Sequence, residues 1–179
     1  MGRRTAPAAP QARANRIRDL LTGAISWTDS YIRIVNESRH TYHDFFHVLA
    51  EDDVLAVVFH CAGGRDRTGV AAGLLLSALG ASDEAVAADY ARTGEVLRPH
   101  AHRFTRIAGE IGFTPEQMSR LVAATEPESM LGLLRFLREE FGSTRGYLEA
   151  IGVPSRVVDD ISERLVEPRY SDAAGGRRS

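Results

Sequence analysis

The chain has 179 residues, enough for one domain with a real core and too few for two ordinary ones. At 44% hydrophobic and 26% charged residues it reads as a globular protein in water, which excludes fibrous and disordered classes. A net charge of −2 excludes a strong global field for nucleic acid or anionic lipid.

The elements read in chain order as follows. Residues 1–14 have the composition of a disordered, basic, Ala/Pro-rich leader. Gly2 is followed by Ala6 where a myristoylation signal wants Ser or Thr, and Arg3-Arg4 is not followed by an apolar segment. From Tyr31 to Leu49 the residues Tyr31, Ile34, Val35, Tyr42, Phe45, Phe46 and Leu49 share one helical face. Val54 to Phe59 is short, valine-rich and apolar on both faces, which predicts a buried parallel strand over 54–60. The stretch HCAGGRDRTG, residues 60–69, follows as a loop, and Thr68 to Leu79 as an Ala/Leu helix stopped by Gly80.

Ser82 is placed to cap a helix with Asp83 and Glu84 in its first turn. Thr114-Pro115-Glu116-Gln117 has capping-box spacing. Pro127 opens a helix through Leu131, Leu134 and Leu137 that Gly142 ends, a short helix surrounds Tyr147, and Ser155 caps a last one ending before Pro168. Residues 170–179 read as a frayed tail. The longest apolar run, Val70 to Leu79, falls far short of the ~20 residues that cross a bilayer. Only one strand is legible, and a lone strand leaves its backbone groups unsatisfied. The expectation is therefore an α/β, mostly helical chain with an incomplete parallel sheet, completed by self-association or by another chain.

Cysteine occurs once, as Cys61, which excludes an internal disulfide and fits a reducing, cytoplasmic compartment. It stands in a strand–glycine loop–helix arrangement, which is an anion cradle. The N–H groups of Ala62 to Arg67 are predicted to curl around one oxyanion, helped by the positive end of the following helix. Gly63 and Gly64 allow the torsions such a loop needs. A cysteine at its mouth has a depressed pKa. Arg67 offers a planar fork to two phosphoryl oxygens. Cys61 is thus placed to attack phosphorus while the loop holds the equatorial oxygens.

HCAGGRDRTG resembles the HCxxGKDRTG signature of the atypical bacterial protein-tyrosine phosphatases, relatives of the dual-specificity and phosphoinositide phosphatases. Val54 to Phe59 resembles the strand before that signature, GVAAGLLLSALG the helix after it, and the Asp89-Tyr90 pair part of the next helix. GSTRGYLEAIGV and the closing helix resemble the family's C-terminal end, and NRIRDLLTG at Asn15 to Gly23 resembles its NFRDLGG opening. The resemblance covers about Trp27 to Glu167. It implies a phosphatase-like domain over 15–169, N-terminally abbreviated because the strands expected after the opening motif are not legible.

It also implies roles. Cys61 is the nucleophile that forms a phosphocysteine intermediate, and Arg67 binds phosphate and stabilises the transition state. His60 orders the loop, Thr68 hydrogen-bonds the sulfur, Ala62, Gly63 and Gly64 line the cradle, and Gly69 supports it. Asp66 is the nearest carboxyl for acid–base work, the alternative being a brace for the loop. Arg65 stands where the family has lysine, a position that extends binding toward multiply phosphorylated head groups; all 22 basic residues of this chain are arginine. The implied function is a cysteine-dependent phosphomonoesterase needing neither metal nor cofactor, acting on phosphotyrosine proteins with reach to phosphoserine, phosphothreonine or phosphoinositides. The alternatives are a phosphate-binding pseudophosphatase and a sulfur- or arsenate-handling enzyme; the Arg67-Thr68-Gly69 ending favours phosphate. His40, His43 and His47 have spacing for a metal but lie opposite their helix's apolar face. Arg98, His100, His102 and Arg103 are candidates for a substrate-facing basic rim.

Overall fold

The computed structural model describes residues 10–52, 56–100, 109 and 112–166. These form α1 (Pro10–Thr22), α2 (Trp27–Glu37), α3 (Arg39–Leu49), α4 (Asp66–Ala78) and α5 (Asp83–Leu97). The remaining helices are α6 (Pro115–Ala123), α7 (Pro127–Phe141), α8 (Thr144–Ala150) and α9 (Ser155–Leu165). None of them is long and apolar enough to cross a membrane.

Helix starts follow the side-chain chemistry of their caps. Ser26 and Asp29 close a capping box on α2, and Thr114 with Gln117 closes the expected one on α6. The Ser82 hydroxyl accepts from the Ala85 N–H at 3.2 Å at the start of α5. Ser155 does not cap α9. Pro154 takes that position, and the Ser155 hydroxyl donates instead to Glu149.

The helix α7 sits at the centre. Its Met130, Leu133, Leu134 and Leu137 are buried, and it packs on α2, α5 and α8. The main core adds Tyr31 and Val35 from α2, Tyr42 and Phe46 from α3, and Val70 and Leu74 from α4. Tyr147 of α8 donates its hydroxyl to the Val35 carbonyl at 2.8 Å, tying α8 to α2. Arg145 of the same helix donates to the Ala78 carbonyl at 2.9 Å and pairs with Asp159 at 2.7 Å, so it anchors the far end of α4. A second cluster joins Ala14 of α1 to Phe113, Met118 and Leu121, with Ile17, Leu20 and Leu21 packed on it.

Three expectations change. The helix expected over Tyr31–Leu49 is two helices broken at Ser38, whose torsions (φ −109°, ψ 21°) leave the helical range. The polar run between Val35 and Tyr42 carries no apolar anchor, and the break lets α2 face α4 and α7 while α3 faces α9. The leader expected to be disordered through residue 14 is helical from Pro10, because Ala14, Ile17 and Leu21 form a stripe with a core to meet. The remaining terminal residues expected to be disordered, 1–9 and 170–179, lie outside the described residues.

The third change is the strand. Residues 56–60 belong to no strand, and residues 53–55 lie outside the described residues. Val58 is 88% exposed, which a buried strand forbids. A strand exists by its ladder, and among the described residues no segment offers an edge to pair with. Among the described residues the expected parallel sheet is not present, and a helical array delivers one segment outside any helix or strand to the loop.

Candidate active site

The extended segment is held by Phe59, whose ring meets Phe45 of α3 at 4.9 Å between centroids. Two residues later the chain reaches Cys61, the single free thiol, which is partly buried. Gly64 turns the loop in the left-handed region (φ 65°), where a side chain would be strained. Gly63 does not share that conformation, so one of the two expected special glycines carries the turn.

The helix α4 starts at Asp66, two residues before the expected Thr68, so Asp66 and Arg67 lie in its first turn. Free N–H groups of a helix start therefore face the thiol. The Thr68 hydroxyl and the N–H groups of Thr68, Gly63 and Arg65 are the donors beside the sulfur that favour its thiolate. The Thr68 hydroxyl oxygen also accepts from the Cys61 N–H at 2.8 Å, which pins the nucleophile's backbone to the helix. Burial pushes the thiol pKa up, but these donors outweigh it, and the net result is a fall from 9.0 to about 7. His60 is exposed, and its Nδ1 donates to the Cys61 carbonyl at 3.1 Å, so it orders the loop from outside.

Arg67 is exposed and near enough for its charge to act on Tyr42 and on Arg16. Arg65 departs from expectation. The residue is 6% exposed, and its guanidinium stacks over the Trp27 ring at 4.4 Å. Its Nε donates to Asp66 at 3.0 Å, and a terminal nitrogen donates to the Leu121 carbonyl. The Arg65 backbone lines the cradle while the guanidinium braces it from below, so this side chain does not reach toward a head group. Asp66 accepts a second hydrogen bond from the Tyr31 hydroxyl at 3.3 Å. With its proton committed there, Tyr31 accepts from the Tyr90 hydroxyl. Burial pushes Tyr90 up to about 12 and Tyr31 higher still, so both phenols stay protonated. Tyr90 also explains Gly69, where an added Cβ would lie 2.8 Å from the Tyr90 ring.

The structure therefore brings together His60, Cys61, Ala62, Gly63, Gly64, Arg65, Asp66, Thr68 and Gly69. Sequence reasoning missed Trp27 and Tyr31 as braces. Tyr31 scores as apolar on a helical face, and only the Asp89-Tyr90 pair carried a signal. No group of three metal-holding side chains occurs among the described residues. His43 instead pairs with Asp44 at 2.9 Å, and the His47 ring meets the Gly152 carbonyl at 3.4 Å. Of the candidate basic rim, Arg98 and His100 are exposed, and His102 and Arg103 lie outside the described residues.

The sequence profile of the tyrosine phosphatase family matches residues 4–167. This chain belongs to that family. Among curated relatives, a tyrosine-protein phosphatase of Nostoc commune is 27% identical over 141 residues, covering 76% of this chain and 48% of that protein. The triple specificity protein phosphatase PtpB of Mycobacterium tuberculosis is 30% identical over 113 residues, covering 58% of this chain and 41% of PtpB. The chain thus spans less than half the length of these two phosphatases. In this tyrosine phosphatase family member the signature cysteine, arginine and threonine all lie on the loop and first turn of α4.

Proposed function

We propose that this chain acts as a cysteine-dependent phosphomonoester hydrolase on phosphotyrosine and related phosphoproteins. The observation that carries the reading is Cys61 on a loop that runs into the start of α4, its N–H bound to the Thr68 hydroxyl at 2.8 Å, a setting that favours the thiolate. The same groups that stabilise a thiolate suit the oxygens of a phosphoryl group. In the first step the Cys61 thiolate attacks phosphorus, a P–S bond forms, and the ester P–O bond breaks. The leaving oxygen takes a proton from Asp66. In the second step Asp66 accepts a proton from water, the water oxygen attacks phosphorus, and the P–S bond breaks. Inorganic phosphate leaves, and the Thr68 hydroxyl hydrogen-bonds the departing sulfur. Arg67 offers its fork to two phosphoryl oxygens as charge develops. The relative described as a triple specificity protein phosphatase supports a substrate range wider than phosphotyrosine. We place the activity in a reducing, cytoplasmic setting that keeps a lone reactive thiol reduced.

A second reading, a phosphate-binding pseudophosphatase, is favoured by one observation: Asp66 is engaged by Tyr31 and Arg65, as a brace would be. Hydrolysis of p-nitrophenyl phosphate by the purified chain separates the two. The hydrolase reading expects activity that survives EDTA, is blocked by vanadate and disappears in Cys61→Ser. Vanadate binding without turnover would establish the pseudophosphatase.

A further inference from the structure

The two carboxyl oxygens of Asp66 stand in different settings. Oδ1 accepts from Arg65 Nε at 3.0 Å and from the Tyr31 hydroxyl at 3.3 Å. Among the described residues no hydrogen bond reaches Oδ2, and the side chain is 37% exposed. A pure brace would gain by engaging both oxygens, whereas here two donors converge on one. Both donors are held by packing. Tyr31 is buried on α2, its ring edge-on to Tyr90 at 5.7 Å between centroids, and its hydroxyl accepts from that of Tyr90. Trp27 packs against both: the Arg65 guanidinium lies 4.4 Å above its ring, and the Tyr31 ring lies 6.1 Å from it. A carboxyl oxygen has two lone pairs, and both of those on Oδ1 meet a donor hydrogen. A guanidinium does not give up its proton, so Oδ1 has no room for one. A proton carried by this carboxyl therefore sits on Oδ2.

We propose that Tyr31 is a positioning residue for general acid–base catalysis: with Arg65 it confines the exchangeable proton of Asp66 to Oδ2 and fixes the carboxyl plane. The proposal rests on the phosphomonoester reading and deepens it by naming the atom that carries the proton. In the first step Oδ2 gives its proton to the ester oxygen as the P–O bond breaks and the P–S bond forms. In the second step Oδ2 takes a proton from water as the water oxygen bonds phosphorus and the P–S bond breaks, so the carboxyl ends the cycle as it began. Between the steps the two donors on Oδ1 stabilise the carboxylate. The terminal torsion of an aspartate is broad and two-fold, so a carboxyl without this anchor presents either oxygen.

The test compares kcat/KM, which reports the first step, on two aryl phosphates. p-Nitrophenolate departs without a proton, and phenolate needs one. Tyr31→Phe removes the donor and keeps the ring, but it leaves the Tyr90 hydroxyl without its partner. The double variant Tyr31→Phe/Tyr90→Phe removes both hydroxyls and orphans neither. Both variants are expected to lose phenyl phosphate hydrolysis roughly tenfold more than p-nitrophenyl phosphate hydrolysis. Tyr90→Phe alone keeps the bond from Tyr31 to Asp66 and is expected to keep the wild-type ratio of the two substrates, whatever happens to its melting temperature. In an Asp66→Asn background, Tyr31→Phe is expected to shift the ratio no further. A wild-type ratio in the double variant overturns the proposal. So does a ratio that Tyr90→Phe shifts as far as Tyr31→Phe does, or a further shift in the Asp66→Asn background. A wild-type chain that hydrolyses neither ester overturns the phosphomonoester reading itself, a distinct result.

Discussion

At the scale of single residues, charge at Cys61 and the division of labour between two arginines dominate. The folded thiol ionises near pH 7, against 9.0 for the ordinary group. Alkylation by iodoacetamide should therefore rise with pH through an inflection near 7, and Thr68→Val should move that inflection upward by removing the hydroxyl donor. The sign for stability follows. A lowered folded pKa stabilises the fold fully above the unfolded value and loses that contribution as pH falls through about 7. Arg67 and Arg65 differ in what they touch. Arg67→Lys should cut kcat on the order of a hundredfold, because an ammonium replaces a two-pronged fork, with the melting temperature unchanged. Arg65→Ala should cost about 1–3 kcal/mol of stability by leaving the buried Leu121 carbonyl without its donor and Asp66 with the Tyr31 hydroxyl alone. A melting curve and a kcat for each variant check the division; equal effects on both readouts would refute it.

At the scale of elements, the site depends on how α4 and α5 approach each other. Gly69 lies one turn after Arg65, and the Tyr90 ring occupies the space its side chain would need. Tyr90 in turn supports Tyr31, which donates to Asp66 at the head of α4. Gly69→Ala forces the ring and the helix apart, a cost of about 1–3 kcal/mol for an overpacked contact. The expected outcome is a lower melting temperature together with a shifted Cys61 alkylation profile, since the helix start and its N–H groups move as one body. A variant with unchanged melting and unchanged alkylation would show that the α4–α5 contact does not support the cradle.

At the scale of the whole molecule, the extended segment before the cysteine decides the architecture. Val58 is exposed and Phe59 is packed, so the segment is anchored on one side only. Val58→Ser should change stability by less than about 0.5 kcal/mol, as an exposed substitution does, whereas a buried strand would lose about 1.5 kcal/mol or more. Denaturant melts discriminate the two. An exposed valine beside free backbone groups also suits pairing with another chain. We therefore propose that self-association runs through residues 56–60; sedimentation should then show Val58→Ser more monomeric than the wild type, and no difference would dismiss that route.

The helices from α4 onward, the caps at Ser82 and Thr114 and the loop-to-helix arrangement at Cys61 were legible in the sequence, because each is written in residues close along the chain. Thr114 with Gln117, Ser82 with Ala85, and Cys61 with Thr68 meet within a few positions. What only the tertiary structure decided involves residues far apart. Arg65 meets Trp27 and Leu121, Asp66 meets Tyr31, and Gly69 meets Tyr90. Valine spacing at 54–59 states a preference for extended chain but does not supply a ladder partner, and among the described residues none arrives beside 56–60. A local pattern fixes what a segment prefers; burial, pairing and the orientation of a guanidinium depend on which distant surface arrives beside it.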